Sequence, residues 1–136
     1  MRKVVLATAA VTLLAPAPAA RAVPPVVVTG TGRLSPGLAI PGAFYPISIR
    51  FEGTGEVPGG STYTCRFSGS GHNAPMGGAS GVLSGECGPI QYPVCAFELS
   101  PATWKIACTN GSVGSLAAAY DNPTYVTSFT ANGVIS

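Results

Sequence analysis

Glycine and proline interrupt the chain so often that no long helix fits between them. The sequence of 136 residues contains 18 glycines and 13 prolines, and between residues 23 and 136 no window of ten residues combines a helical period with freedom from both. Short alternating or β-branched runs separated by such residues are typical of all-β sandwiches and barrels. The sequence therefore predicts an all-β fold, an Ig-like antiparallel β-sandwich of about eight strands.

The alternation of apolar and polar residues assigns faces to the predicted strands. In "FYPISIRFEGTG" the residues Ile47, Ile49 and Phe51 fall on one face, so this strand is expected to be buried on one side only. "STYTCRFSGS" repeats the pattern, with Tyr63, Cys65 and Phe67 facing inward. "VVVTGTG", "GVLSGEC", "SVGSLAAAY" and "TYVTSFT" are predicted strands, and "HNAPMGGAS" is a predicted loop.

The segment "CAFELSPATWKIAC" predicts a hairpin closed by a disulfide between Cys95 and Cys108. This register places Leu99 opposite Trp104 on the buried face. Glu98 then lies opposite Lys105 on the other face, and such cross-strand pairs stabilise a sheet. Since proline excludes a type I′ turn, we expect a four-residue type I turn with Pro101 in second place.

A disulfide between the remaining two cysteines also gives a register that brings opposite charges together. With Cys65 opposite Cys87, Arg66 meets Glu86 and Phe67 meets Gly85. This connectivity is favoured, while pairing of Cys87 with Cys95 and of Cys65 with Cys108 is the main alternative.

Disulfides suit these cysteines better than a metal or redox site. Zinc sites need closely spaced cysteine or histidine ligands, whereas here the intervals are 21, 7 and 12 residues and His72 is the only histidine. A redox pair needs a C-x-x-C motif, and the sequence has none.

The first 22 residues have the three parts of a secretory signal peptide. Met1, Arg2 and Lys3 form a positive start, an apolar run follows, and Ala20-Arg21-Ala22 matches an A-x-A cleavage site. We predict a signal peptide at 1–22 and a single secreted domain at 23–136, extracellular or associated with the cell envelope and without a membrane anchor.

Removal of that signal changes the charge of the protein. Four basic and five acidic residues remain, a net charge of −1. Such a chain offers no basic stripe, so neither nucleic acid nor a membrane surface is an expected partner.

Few residues are suited to catalysis. Hydrolytic triads need a base and an orienting acid, and the chain has one histidine, His72, and one aspartate, Asp121. Glu52 and Glu56 are the only nearby acid pair, and they fit a solvated strand better than a catalytic dyad. We predict no catalytic, metal or cofactor site and no enzymatic activity.

Several motifs resemble those of small secreted proteins that are numerous in high-GC Gram-positive bacteria. They are "GTGRLSPGL", "YTCRFSGSG" followed by "SGECG", the hairpin between the last two cysteines, and "NPTYVTSF". The resemblance implies a secreted, disulfide-containing β protein and implies no activity. The chain departs from that pattern at Ser100-Pro101-Ala102, where arginine-threonine-glycine is common.

We therefore expect a non-enzymatic extracellular domain, structural or binding, whose partner and oligomeric state the sequence leaves open. One alternative is a protease inhibitor that presents Met76 in the loop "NAPMGGAS". Another is a carrier that holds a small apolar molecule in a cleft.

Overall fold

The structure is a computed structural model that describes residues 24–36, 45–73, 78–121 and 127–136. The predicted signal peptide, Met76 and residues 122–126 lie outside these ranges. Eight antiparallel strands form one closed barrel in sequence order. They are β1 (Val26–Ser35), β2 (Pro46–Glu56), β3 (Thr62–Asn73), β4 (Ala79–Cys87), β5 (Ile90–Leu99), β6 (Thr103–Cys108), β7 (Val113–Asp121) and β8 (Thr127–Ile135).

The all-β prediction is confirmed, but the Ig-like sandwich is wrong. Every strand pairs with the next one in the sequence, and β1 also pairs with β8 from Val26 opposite Ile135 to Leu34 opposite Thr127. This seam closes the sheet on itself instead of leaving two sheets packed face to face. Alternating burial indicates only that each strand has one covered face, and a barrel meets that condition as well as a sandwich does.

Glycine allows β1 and β2 to approach each other closely at one point. Gly30 on β1 lies opposite Gly53 on β2. A Cβ atom on Gly30 would overlap the carbonyl oxygen of Glu52, and one on Gly53 would overlap that of Thr29. Glycines at such positions let a sheet curve enough to close into a barrel.

The barrel interior is filled by aromatic side chains. Trp104 is fully buried, and its ring centroid lies 4.9 Å from that of Phe51, 5.5 Å from that of Phe129 and 6.1 Å from that of Phe67. Tyr92 packs against Phe67 with ring centroids 5.4 Å apart. The predicted inward positions Ile47, Ile49, Phe51, Cys65 and Phe67 are all buried, while Tyr63 is only partly covered.

Both disulfide hairpins have the predicted registers. Cys65 is bonded to Cys87 between β3 and β4, and Cys95 is bonded to Cys108 between β5 and β6. Leu99 lies opposite Trp104, as predicted. In the turn, Ser100 and Thr103 exchange two backbone hydrogen bonds, of 2.9 and 3.4 Å, which leaves Pro101 in second place.

Several strands extend beyond their predicted bounds. The predicted loop at 72–80 is shorter than expected, because His72 and Asn73 end β3 while Ala79 and Ser80 begin β4. β5 begins at Ile90, within a segment that carries Pro93. The β4–β5 register shifts there, between Leu83 and Gly85, so Pro93 sits at a bulge where its missing N–H costs no ladder bond.

Candidate functional site

The residues with catalytic potential do not assemble into a reactive pair in the described part of the chain. His72 is exposed at the end of β3, with Nδ1 3.1 Å from the carbonyl oxygen of Asn73. Glu52 and Glu56 both point outward from β2. Glu52 Oε2 accepts a hydrogen bond from Arg66 Nε at 3.2 Å, so this carboxylate belongs to an ion pair.

That ion pair differs from the one expected. The register indeed places Arg66 opposite Glu86 on β4, as predicted. Arg66 nevertheless bonds Glu52 on the other side, and both side chains of the bond are about two-thirds exposed, at 65% and 66%. Exposed pairs contribute little to stability, so this one mainly fixes where the charges lie.

Metal-ligating residues are not grouped in the ranges that the structure describes: no three histidine, cysteine, aspartate or glutamate side chains come together there. The cysteines are consumed by the two disulfides. Across the same ranges, no helix is long and apolar enough to cross a membrane.

The most distinctive polar arrangement is a pair of arginines that the sequence analysis did not single out. Arg33 on β1 and Arg50 on β2 are direct cross-strand partners, and both are exposed. In the described residues neither side chain has an ion pair or hydrogen bond. Side chains that face each other in this way start only about 5 Å apart at their Cβ atoms, and like charges so placed destabilise a sheet.

Serine hydroxyl groups surround this arginine pair. Ser128 on β8 is the cross-strand partner of Arg33, and Ser68 on β3 is the cross-strand partner of Arg50. A groove of about 540 Å³ runs beside the two arginines and is lined by Ser35, Ser48, Ser68 and Ser70. We define the arginine–serine face as Arg33, Arg50 and the serines at 35, 48, 68, 70 and 128.

The electrostatics of this face favour an anion. Glu52 lies two residues after Arg50 on the same side of β2 and lines an adjoining groove with both arginines. Its carboxylate already forms an ion pair with Arg66. Two guanidinium groups without a bonded counter-ion therefore remain beside a row of neutral hydroxyls. Guanidinium groups bind carboxylate, phosphate and sulfate through paired hydrogen bonds, and hydroxyls add further donors.

The interior of the barrel contains polar atoms that this face does not use. Tyr92 Oη and Trp104 Nε1 are buried without a hydrogen-bond partner in the described residues. Burial raises the pKa of Tyr92. Both residues belong to the buried core cluster, where their rings pack against neighbouring aromatic side chains.

The sequence contained one signal for the arginine pair. Arg33 and Arg50 each occupy an outward-facing position in a strand of alternating apolar and polar residues, but sixteen residues separate them in the sequence. Only the β1–β2 register makes them neighbours, and no cysteine pair fixes that register.

Comparison of the chain with family models, curated proteins and solved structures finds no match.

Proposed function

We propose that the chain is a secreted, non-catalytic binding domain whose arginine–serine face binds oxyanion groups of an extracellular ligand. The observation that carries the proposal is the direct pairing of Arg33 with Arg50, without a bonded counter-ion in the described residues. This pairing lowers the stability of the sheet, so folding does not explain it. A bound anion offsets the repulsion between the two guanidinium groups.

The site suits a charged polymer better than an isolated small anion. It lies on an open outer face and its groove is lined by hydroxyls, which also donate and accept hydrogen bonds with sugars. Two disulfides are consistent with an oxidising compartment outside the cytoplasm, where polymers bearing carboxylate or phosphate groups are present. The predicted signal peptide at 1–22 supports the same location.

Binding assays with defined anions test the proposal. The probes are polyphosphate, a uronic-acid oligosaccharide and a neutral oligosaccharide of the same length. We expect calorimetry to show binding of at least one anionic probe, weakened by added salt, and none of the neutral one. The variants Arg33→Gln and Arg50→Gln are expected to weaken binding by about tenfold each, the equivalent of about 1.4 kcal/mol.

Lys105→Gln is the matched control, because it removes the same charge from the opposite side of the barrel. Measured at a protein concentration at which the wild type is monomeric, its binding should stay at the wild-type level. Equal losses in Lys105→Gln and Arg50→Gln would show that net charge alone drives the interaction. Absence of binding to both anionic probes would also contradict the proposal, and comparison of the two probes tells phosphate from carboxylate recognition.

A further inference from the structure

The exposed valines of the described barrel lie on five strands, and two of them, Val113 and Val134, line one groove. Their exposed fractions are 54% for Val82 and Val113, 50% for Val94, and 43% for Val27 and Val134. None of them lies on β2 or β3, where the arginine–serine face is centred. We define the apolar band as Val113 and Val134, which share one groove, together with the exposed Ala96 and Ala107 beside them.

Strand registers make the band continuous. Ala96 pairs with Ala107, and Ala107 with Val113. Val134 lies opposite Ser115, two residues beyond Val113. The band lines a groove of about 590 Å³. Connected apolar surface of this kind marks interaction sites more often than scattered single residues do.

Two free charges of opposite sign lie in the same groove. Glu98 and Lys105 are direct cross-strand partners and line the groove with the apolar band. Neither forms an ion pair with any described residue, including the other. The face thus carries one acid and one base, with both charges available to another molecule.

We infer that the apolar band is the interface of a homodimer, with a second copy of this chain as its occupant. A two-fold axis through the groove sets the band against itself and brings Glu98 of each copy to Lys105 of the other. A surface that carries one acid beside one base is complementary to its own rotated image, which is the condition for an isologous interface. The two charges give no preference for a strongly acidic or strongly basic partner. Because the barrel is closed, a second copy has no strand edge to pair with and must pack through a face.

Such a dimer has a consequence for binding, although the interface stands independently of the proposed anion site. In the ring of eight strands, β2 and β6 are diametrically opposite. Packing through the band, which is centred on β6, leaves both arginine–serine faces on the outside. A polymer with repeated anionic groups can then engage two sites at once and gain avidity.

Sedimentation equilibrium and light scattering of the purified protein test the inference. We expect the average mass to rise from one chain toward two as the concentration increases from about 1 μM to about 1 mM. Val113→Glu buries a charge in the centre of the interface and should weaken the dimer at least about tenfold. Thr64→Glu, an exposed position on β3, is the control and should dimerise as the wild type does. Near-ultraviolet circular dichroism of Trp104 confirms that each variant is folded.

A charge-swap series distinguishes a second copy from any other occupant. Glu98→Lys alone sets two bases against each other and should weaken the dimer. The double variant Glu98→Lys, Lys105→Glu restores the match between two copies and should recover it. A monomer at all concentrations, an equal effect of Thr64→Glu, or a double variant that stays as weak as the single one would overturn the inference.

Discussion

Gly30 and Gly53 face each other across β1 and β2 at a separation that excludes a side chain on either. A Cβ atom on Gly53 would overlap the backbone of Thr29 and Gly30, neither of which can yield without moving its strand. Arg33 and Arg50 pair three positions further along the same two strands.

Gly53→Ala is expected to destabilise the protein by about 1–3 kcal/mol, as overpacking of a tight site does. Gly60→Ala is the matched control, because a Cβ atom there would meet its nearest neighbours at 3.5 to 3.7 Å, an ordinary contact. The control should stay within about 0.5 kcal/mol of the wild type. Urea unfolding measures both. An unperturbed Gly53→Ala variant would show that the strands can separate here at no cost.

Trp104 should contribute more to stability than any charged residue. Trp104→Ala removes a ring that contacts Phe51, Phe67 and Phe129, and we expect a loss of about 3–5 kcal/mol. Trp104→Phe should cost clearly less, because it keeps a ring and removes an indole N–H that has no partner in the described residues.

Denaturant melts measure these two variants as midpoint shifts at unchanged slope. Glu56→Gln, on the exposed side of β2, serves as the control and should lie within about 0.5 kcal/mol of the wild type. If the phenylalanine variant proved as unstable as the alanine variant, the indole nitrogen would have a bonding role that the described contacts do not include.

Tyr120 should make stability fall at alkaline pH. Burial raises its pKa to about 12 from the ordinary 10.0, and its hydroxyl donates a hydrogen bond of 2.6 Å to the carbonyl oxygen of Ser100. The folded state therefore favours the neutral phenol. The stability contributed by this group is complete below pH 10 and is lost as the pH rises toward about 12.

Tyr120→Phe is expected to reduce the alkaline decline while lowering stability at neutral pH by about 1 kcal/mol, the value of one hydrogen bond. The decline should not vanish, since burial also raises the pKa of Tyr92. Thr64→Ala, at an exposed position on β3, is the control and should keep the wild-type profile. Unfolding midpoints between pH 7 and pH 12 provide the measurement, and an unchanged slope in Tyr120→Phe would contradict the assignment.

Local patterns predicted those parts of the fold that local contacts determine. Alternation placed Ile47, Ile49 and Phe51 inside, and the cysteines fixed the hairpin in which Leu99 meets Trp104. The same patterns could not separate a sandwich from a barrel. That difference depends on Val26 pairing with Ile135, between residues at opposite ends of the described chain.

The candidate site lay beyond sequence reasoning for a related reason. The net charge of −1 expected after removal of the signal concealed a local concentration of positive charge. Arg33 and Arg50 become neighbours only through the register of β1 on β2. The predicted final strand "TYVTSFT" ends at Thr130, whereas β8 continues through Asn132 and Gly133 to Ile135.

The pairing of β1 with β8 also determines which part of the barrel forms last during folding. Seven of the eight strand pairings join consecutive strands, and each disulfide lies within one such hairpin, so these parts need only short stretches of chain to form. The eighth pairing joins residues 26–34 to residues 127–135 and must bring the two ends of the described chain together. Contacts so distant in sequence form slowly, because loop closure costs entropy before they contribute. Until the seam closes, β1 and β8 remain open edges on which a second unfolded chain can pair. The rate of this last step therefore determines how long the newly made chain is open to aggregation.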